Sequence, residues 1–396
     1  MGSRGITGRG IVPRRLLYFS PSWFGGLADY AHAQAAALAR TGVQVVFLTS
    51  KRNTLVPEAG CEVRQELATS QDDPEVRLRL LRKVDRVRQM LSQFKALACI
   101  VDAEHFDRVL MASYVEYLAP FWAAPLRRLA SRGVVFGAVI HDPVRDFVLG
   151  PPWWHRWSVS AAYSFLREAF VHEAIELDTV RPMPGLRTTT VPHGPYYFPR
   201  AERACEQVRA SLHIPHEAKV LLSFGHVRDG KNLDLAIRAL AVDPQVYLVV
   251  AGKVSSATQR PIEHYRAIAN EAGVAAQCRW LTEFIPANQV GDLFEACDAV
   301  LLTYNSSFRS ASGVLNTAVA YRRPCIAASG QGNLRSVVLK YDLGLFVEPD
   351  DCDAVGCGIK RWLGGLPTPR WDDYERDNSW QRNAEIVCDR LWGSTP

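Results

Sequence analysis

Two cations lie where a predicted strand is followed by a predicted helix in the second half of the chain. The strand spans residues 220–224, the helix spans 233–240, and Arg228 and Lys231 lie between them. Ligands of open α/β sheets bind at the carboxyl ends of the strands, and the N-terminus of a helix favours anions. Arg228 as a planar fork and Lys231 as a point charge therefore suit a diphosphate. A pair of solvated loop cations is the alternative interpretation.

A glycine pair follows the first predicted strand of the chain. Gly25 and Gly26 stand in the sequence FGGL, between the strand at 16–20 and a helix at 28–41. Glycine lets the backbone approach a ligand closely, and the helix presents its N-terminus to that ligand. The spacing is not the GxGxxG of dinucleotide sites. A tight strand-to-helix turn explains the pair equally well.

A histidine follows another apolar run, in the sequence VIHDP. The run carries His141 and Asp142 to the carboxyl end of a predicted strand, and Pro143 disfavours a helix directly after it. Histidine can bind a sugar hydroxyl or a developing charge near neutral pH. A structural histidine is the alternative.

A fourth candidate segment begins at Ser310 and precedes a predicted helix. Ser312 is a plausible N-cap, and Gly313 and Val314 open the helix. Free backbone N–H groups there can hold a phosphate. Thr317 lies about one turn into the helix and could reach a ribose hydroxyl. An ordinary capped helix is the alternative.

Strand and helix patterns alternate along the whole chain, which predicts parallel sheets. A segment rich in proline and aromatic residues, PHGPYYFPRAE, interrupts both patterns and separates two domains. We predict a flexible lead-in at 1–14, domains at 15–198 and 199–370, and a C-terminal helix at 371–396 that crosses back to the first domain. The predicted strands are 16–20, 43–48, 108–112, 134–140, 169–172, 188–191, 220–224, 246–251, 299–302 and 325–327.

Composition indicates a globular protein of more than one domain. The 396 residues are 48% hydrophobic and 22% charged, and the net charge is +5. No basic block alternates with aromatic residues, so we expect no nucleic-acid partner. The nine cysteines are scattered without a metal-ligand spacing, which predicts reduced thiols, a cytoplasmic location and no metal site. We expect neither a secretory signal nor a membrane-spanning helix.

Together these segments resemble the retaining family-four glycosyltransferases of the GT-B fold, along nearly the whole chain. The resemblance implies an α/β protein with two facing Rossmann-like, doubly wound domains and a cleft between them. The N-terminal domain would hold the acceptor and the C-terminal domain the nucleotide sugar. The matching segments are LLYFSPSWFGGLADYAHAQAAALARTGVQVVFLTS, VIHDP, VPHGPYYF, FGHVRDGKNLD, LVVAGK, LTEFIPANQVGDLFEACDAVLLTY and DNSWQ.

The resemblance also assigns roles to residues. Arg228 and Lys231 would neutralise the leaving diphosphate, and His141 would contact the transferred sugar. The other residues expected at the donor site are Gly25, Gly26, Gly225, His226, Phe284, Ile285, Arg309, Ser312, Gly313, Val314 and Thr317, with Gly252 and Lys253 nearby. Backbone around Phe284 and Ile285 would frame the nucleotide base.

Three positions depart from the family pattern. Arg309 and Thr317 stand where the family usually carries two glutamates, and His226 stands where it often carries arginine. Thr317 can still bond a hydroxyl, whereas Arg309 cannot accept a hydrogen bond. Either sugar recognition is rebuilt, with Arg309 binding an acidic donor sugar, or activity is lost.

The resulting expectation is an enzyme that transfers a sugar from a nucleotide diphosphate to a glycan or lipid-linked acceptor. The nucleotide sugar is a co-substrate, and we expect no cofactor and no metal. A non-catalytic GT-B nucleotide-binding or scaffold protein is the main alternative, motivated by the missing glutamates. A nucleotide-sugar epimerase is a third interpretation, for which only Asp142 offers an acid–base carboxylate.

Two features suggest peripheral contact with the inner face of an anionic membrane. A predicted helix at 77–95 is basic and amphipathic, and a cluster of tryptophans follows later in the chain. A solvated helix face and buried tryptophans are the alternative. The residues concerned are Arg77, Arg79, Arg82, Lys83, Arg86 and Arg88 in the helix, and Trp153, Trp154 and Trp157 in the cluster.

Overall fold

The computed structural model describes residues 14–53, 59–69, 79–143, 150–254, 256, 258–365 and 368–393, except the side chains of 79–83. Almost all of the predicted lead-in therefore lies outside the described residues. The strands and helices form two α/β domains joined by an extended segment at 191–204.

The N-terminal domain is built on a parallel sheet. Its strand order is β3-β2-β1-β4-β5-β6-β7, so the chain reverses direction across the sheet between β1 and β4. This is a doubly wound arrangement with its switch point beside β1. The strands are β1 (Arg15–Ser20), β2 (Gln44–Ser50), β3 (Cys61–Leu67), β4 (Arg108–Met111), β5 (Val135–Val139), β6 (Glu168–Val171) and β7 (Arg187–Thr190).

Both faces of this sheet are covered by helices, because successive side chains of a buried strand point to opposite sides. In β1, Leu17 and Phe19 join the core under α2, α3 and α4, whereas Leu16 and Tyr18 join the core under α1. The helices of this domain are α1 (Gly26–Arg40), α2 (Arg79–Ala103), α3 (Ala119–Ser131) and α4 (Pro152–Tyr163).

The C-terminal domain repeats the arrangement with a second parallel sheet of order β10-β9-β8-β11-β12-β13. The strands are β8 (Lys219–Phe224), β9 (Val246–Ala251), β10 (Cys278–Leu281), β11 (Ala299–Thr303), β12 (Cys325–Ala328) and β13 (Gly344–Phe346). The helices are α5 (Cys205–Ser211), α6 (Leu233–Ala239), α7 (Ile262–Glu271), α8 (Ala287–Ala296), α9 (Gly313–Ala320), α10 (Asn333–Lys340) and α11 (Cys352–Leu363).

The C-terminal tail contains two helices that pack on different domains. The first, α12 (Trp371–Asp377), places Tyr374 in a core of the C-terminal domain. The second, α13 (Trp380–Trp392), buries Ala384 and Leu391 in the core under α1. The tail thus passes from the C-terminal domain to the N-terminal domain and adds side chains to the core of each.

The predicted fold class, two doubly wound α/β domains, is confirmed. Three strands were not predicted from the sequence: β3, β10 and β13. The second helix begins at Arg79 and continues to Ala103, beyond its predicted end at residue 95. The tail, predicted as one helix, is interrupted after Asp377.

Candidate active site

A cavity of about 500 Å³ lies between the two domains. The N-terminal domain contributes Ser113, His141 and Asp142, which follow β4 and β5, and the C-terminal domain contributes Arg228 and Ser310. The carboxyl ends of the two sheets therefore meet at this cavity, where α/β sheets bind ligands. A larger cavity of about 600 Å³ lies against another side of α1 and contains none of the predicted site residues.

The loop after β8 carries the two predicted cations, and Arg228 is the one of them that lines the cavity. Gly225 has a φ of +83° and turns the chain out of the strand. Lys231 Nζ donates a hydrogen bond to the carbonyl oxygen of Phe224 at 2.6 Å. The Arg228 guanidinium lies 5.9 Å from the ring centroids of both Tyr304 and Phe308. These aromatic rings support Arg228 at the edge of the cavity.

Burial lowers the pKa of Lys231 to about 7, and the positive charge of Arg228 is the second cause. A lysine with this pKa is only partly charged at neutral pH. An anion bound beside it would restore the full charge, because an opposite charge favours the ionised form.

Lys253 adds a third positive charge beside this loop, and the neutral His226 lies among the three cations. Burial lowers the pKa of His226, and the charges of Lys231, Arg228 and Lys253 lower it further. Lys253 reaches this position because the loop after β9 presses on the loop after β8. A Cβ atom on Gly252 would lie 2.3 Å from the carbonyl oxygen of Gly225.

The predicted glycine loop faces these groups from the N-terminal domain. Gly25 has a φ of +74°, and a Cβ atom there would lie 4.0 Å from His226 Cε1. Gly26 is exposed, with nothing within 4 Å of the position of an added Cβ. The backbone at Gly25 can therefore come close to a ligand held by the loop after β8, residues 225–232, which is the basic loop of this site.

The N-terminus of α9, which follows the candidate segment that begins at Ser310, borders the basic loop. The Ser312 hydroxyl accepts a hydrogen bond from the backbone N–H of Leu315 at 3.3 Å. A Cβ atom on Gly225 would lie 3.7 Å from Val314, and one on Gly313 would lie 3.2 Å from the Tyr196 ring. These contacts bring α9, the basic loop and the interdomain segment together.

Arg309 and Thr317, which stand where the family usually carries glutamates, are not among the described residues that line this cavity. Arg309 is exposed, and its backbone packs against Gly332. Thr317 is buried and donates its hydroxyl hydrogen to the carbonyl oxygen of Gly313 at 3.1 Å. A ribose contact at Thr317 would therefore use its oxygen as acceptor. The roles predicted for both residues stay predictions.

The residues predicted to frame a base follow β10. Phe284 is 62% exposed and Ile285 is half-buried. The end of β10 is tied to the end of β9, since the N–H of Gly252 donates to the carbonyl oxygen of Leu281 at 2.8 Å. Phe284 and Ile285 are thus three and four residues past Leu281, where the chain leaves the sheet.

His141 lines the cavity in a defined tautomer. Its Nε2 lies 2.9 Å from the carbonyl oxygen of Ala112, and because a carbonyl only accepts, Nε2 carries the hydrogen. Its ring stands edge-on to Tyr30, with centroids 4.6 Å apart. Burial lowers the pKa of His141, although the bond to Ala112 and the charge of Asp142 oppose this effect. The neutral ring offers Nδ1 as a hydrogen-bond acceptor.

A buried network that sequence reasoning missed connects α9 to the glycine loop. Asn316 donates to His193 Nδ1 at 2.9 Å and accepts from the Tyr374 hydroxyl at 2.6 Å. The Tyr196 hydroxyl lies 3.1 Å from His193 Nε2 and donates to the carbonyl oxygen of Gly26 at 3.2 Å. The histidine of VPHGP was the only signal of this network in the sequence.

Within the described ranges, no group of three or more histidine, cysteine or acidic side chains has a geometry that could hold a metal ion. Among the helices of the same ranges, none is long and apolar enough to span a membrane.

Two family models match the chain in succession. Residues 24–194 match Glycosyltransferase Family 4, and residues 205–385 match Glycosyl transferases group 1. The break between the two matches falls in the interdomain segment, so each model covers one of the two domains.

Curated relatives match about half of the chain. A D-inositol 3-phosphate glycosyltransferase of Corynebacterium efficiens is 30% identical over 206 residues, covering 50% of this chain and 46% of the relative. One of Mycobacterium marinum is 29% identical over 190 residues, covering 46% and 40%. The chain thus spans about half the length, or less, of the curated relatives it matches.

Solved structures match the whole fold at low identity. WaaG, a glycosyltransferase involved in lipopolysaccharide biosynthesis, has a TM-score of 0.63 at 15% identity over 96% of this chain and 100% of its own. Anabaena Alr3699/HepE in complex with UDP and glucose has a TM-score of 0.59 at 14% identity, over 96% and 95%. The two-domain architecture is therefore the GT-B fold, and the chain joins a Glycosyltransferase Family 4 domain to a Glycosyl transferases group 1 domain.

Proposed function

We propose that this protein transfers a hexosyl group from a nucleotide diphosphate sugar to a hydroxyl of a glycan or lipid-linked acceptor. The observation that carries the proposal is the convergence of Arg228, Lys231, His226 and Lys253 beside the N-terminus of α9. Such a site suits a diphosphate leaving group, and one structural neighbour, Alr3699/HepE, is in complex with UDP and glucose.

The proposed reaction needs charge stabilisation more than a nucleophile. Breaking the bond between the anomeric carbon and the diphosphate oxygen leaves negative charge on the diphosphate. Arg228 and Lys231 are placed to stabilise that charge, and such preorganised electrostatics are usually the largest catalytic contribution. Lys231 would become fully protonated as the charge develops, because its pKa in the free protein is only about 7.

The proposal includes retention of the anomeric configuration and a reaction without a metal ion. The acceptor hydroxyl would attack on the face that the diphosphate leaves and pass its proton to a departing phosphate oxygen. In this route two cations and the N–H groups at the start of α9 neutralise the diphosphate. No cofactor enters the scheme, and the nucleotide sugar is consumed as co-substrate.

Binding of nucleoside diphosphates and nucleotide sugars tests the proposal. A ligand at about 100 times its dissociation constant stabilises the folded protein by roughly 2.7 kcal/mol, which shifts Tm by a few degrees. We expect protection by one nucleotide family in the wild type and its loss in Lys231→Ala. Lys219→Ala, at the exposed opposite end of the same strand, is the matched control.

Turnover of the bound donor completes the test. We expect the selected nucleotide sugar to be hydrolysed slowly, or transferred when an acceptor is supplied, by the wild type and not by Lys231→Ala. Protection without turnover would favour a non-catalytic nucleotide-binding protein. Protection by no nucleotide would refute the proposed function.

We also propose that the N-terminal domain contacts an anionic membrane, which supplies a lipid-linked acceptor. An aromatic cluster supports this: Trp153 and Trp157 are 64% and 52% exposed on α4, and Phe121 is 61% exposed on α3. The half-buried Trp154 joins them, with its ring 5.6 Å from Phe121. Aromatic side chains of this kind favour the membrane interface.

Basic residues support the same proposal. Arg86 and Arg88 are exposed on α2, and Arg156 is exposed on α4. Arg77 and the side chains of Arg79, Arg82 and Lys83 lie outside the described residues. Flotation with vesicles of phosphatidylglycerol and phosphatidylcholine tests the contact, and we expect binding that weakens as salt is added. We propose a cytoplasmic location at the inner membrane face on the same grounds.

A further inference from the structure

The carboxylates that line the interdomain cavity differ in the hydrogen bonds that their oxygens accept from other residues. Within the described residues these carboxylates are Glu116, Asp142 and Asp229. Oδ1 of Asp229 accepts hydrogen bonds from the backbone N–H of Arg260 at 3.1 Å and from the Tyr265 hydroxyl at 3.2 Å. Asp229 therefore makes its hydrogen bonds within the C-terminal domain.

Glu116 also has a partner within its domain. It accepts a hydrogen bond from the hydroxyl of the buried Tyr163 at 3.3 Å. The residue begins a short helical turn that leads into α3 and lies beside Tyr114 and Tyr117 on the cavity wall. Its position is on the N-terminal side of the cavity, away from the basic loop.

Asp142 differs from both because it crosses the cleft. It follows β5 of the N-terminal domain, and its Oδ1 accepts a hydrogen bond from the hydroxyl of Ser310 at 2.6 Å. Ser310 belongs to the loop that leads into α9 of the C-terminal domain. Asp142 is exposed to the cavity, and its second oxygen makes no hydrogen bond to another described residue.

A carboxylate in this state is an efficient binder of hydroxyl groups. An ionised carboxylate only accepts hydrogen bonds and has about four lone-pair positions, of which Ser310 occupies one. Hydrogen bonds from hydroxyls to an ionised carboxylate are short and about twice as strong as those between neutral groups. Adjacent hydroxyls of a sugar ring can donate to the two oxygens together.

The positive charges of the basic loop and the carboxylate of Asp142 belong to different parts of the site. This arrangement suits a nucleotide sugar, in which a charged diphosphate is joined to a sugar with hydroxyl groups. Arg228 lines the cavity and its positive charge acts on Lys231, whereas Asp142 lies beside Ser310 and His141. A diphosphate at the basic loop would leave the attached sugar between that loop and Asp142. A negatively charged sugar would meet the carboxylate of Asp142, which disfavours it.

We propose that Asp142 binds hydroxyl groups of the transferred sugar and thereby selects neutral hexoses over hexuronic acids. The inference rests on the proposed function, since it needs a nucleotide sugar in the cleft. It assigns sugar recognition to a carboxylate of the N-terminal domain and gives Arg309 no part in it. The bond to Ser310 holds the carboxylate in place and links the two domains when the sugar is bound.

The test compares three ligands on wild type and Asp142→Asn by calorimetry. The ligands are a nucleoside diphosphate, its neutral hexose conjugate and its hexuronate conjugate, starting with UDP, UDP-glucose and UDP-glucuronate and using the base that thermal unfolding selects. We expect Asp142→Asn to bind the diphosphate as the wild type does, within about twofold. Its affinity for the hexose conjugate should fall by roughly tenfold or more, as for a lost hydrogen bond to a charged group.

Two further variants separate sugar binding from a structural effect. Asp107→Asn makes the same chemical change on an exposed residue at the start of β4, paired only with Arg108 among the described side chains, and should change none of the three affinities. Ser310→Ala removes the bridge and keeps the carboxylate. It should retain most of the preference for the hexose over the hexuronate, which Asp142→Asn should lose.

The outcomes distinguish the two proposals. Diphosphate binding with a hexose preference that Asp142→Asn leaves unchanged would overturn the role of Asp142 alone. Equal loss of the preference in Ser310→Ala and Asp142→Asn would show that the bridge, and not a sugar contact, sets it. A wild type that prefers the hexuronate would also overturn the inference and favour Arg309. Failure of the wild type to bind any diphosphate would refute the proposed function and this inference with it.

Discussion

When a nucleoside diphosphate binds, we expect the Lys231 amine to take up a proton from the solvent. Its pKa in the free protein is about 7, so at pH 8 about nine-tenths of the molecules carry a neutral Lys231. A diphosphate beside Nζ favours the charged amine and raises this pKa. A pKa that is higher in the complex means that binding consumes protons and weakens as the pH rises.

The magnitude follows from the same pKa. The charged fraction of Lys231 falls from about 0.24 at pH 7.5 to about 0.03 at pH 8.5, which predicts an affinity about eightfold lower at pH 8.5. At pH 8 each bound diphosphate should take up about 0.9 proton from the buffer. Isothermal calorimetry in two buffers with different ionisation enthalpies measures this number directly.

Three variants make the measurement specific to Lys231. Lys231→Arg keeps its charge throughout this range and should bind without proton uptake. Lys231→Ala should also lose the uptake and bind more weakly. His226→Gln should keep it, because the pKa of His226 is lowered and that side chain is neutral at pH 8 in the free protein. Wild-type binding at pH 8 without proton uptake, or uptake that persists in Lys231→Ala, would refute the assignment.

Other regions give three further predictions. Gly25→Ala should lower the unfolding free energy by about 1–3 kcal/mol and should reduce donor affinity, because φ of +74° with ψ of −175° is open almost only to glycine. Gly26→Ala should do neither; urea unfolding measures the stability and calorimetry the affinity. Replacing Trp153 and Trp157 together by Ser should abolish flotation with anionic vesicles while leaving nucleotide binding intact, and unchanged flotation would contradict the membrane proposal. Tyr374→Phe should lower the free energy of unfolding by about 1–3 kcal/mol in urea, because it removes a buried 2.6 Å hydrogen bond and leaves Asn316 without that donor; a change near zero would show that this bond does not stabilise the fold.

Short-range patterns carry the parts of the fold that could be predicted from the sequence. The run from Val220 to Phe224 followed by Gly225 predicts strand, turn and helix with little help from the rest of the chain. Strand β3 was missed because its sequence, CEVRQEL, is charged and half-exposed at the sheet edge, so no apolar pattern marks it. The break between α12 and α13 was missed because both helices have apolar spacing and differ only in the domain they contact.

Long-range pairs explain why the site was predicted only in part. The loop with Arg228 and Lys231 can be predicted from the sequence, because both charges stand in one short segment between a strand and a helix. The bond between Asp142 and Ser310 joins residues 168 positions apart, and the partners of Asn316 lie in segments far from it in the chain. The pairing of a hydroxyl with a carboxylate across the cleft depends on the relative orientation of the two domains. No local sequence pattern predicts that orientation.

The crossing tail gives the protein a second tether between its domains. The chain passes from the N-terminal to the C-terminal domain near Pro195 and returns just before Trp380, and the two passages touch, since Trp380 Nε1 donates to the carbonyl oxygen of Pro195 at 2.8 Å. A Cβ atom on Gly194 would lie 2.5 Å from the Trp380 ring. A domain joined by one chain segment can rotate about any axis, whereas two neighbouring segments restrict that rotation. We therefore expect opening of the cleft to keep Pro195 and Trp380 in contact and to be more restricted in direction than a single connection would allow.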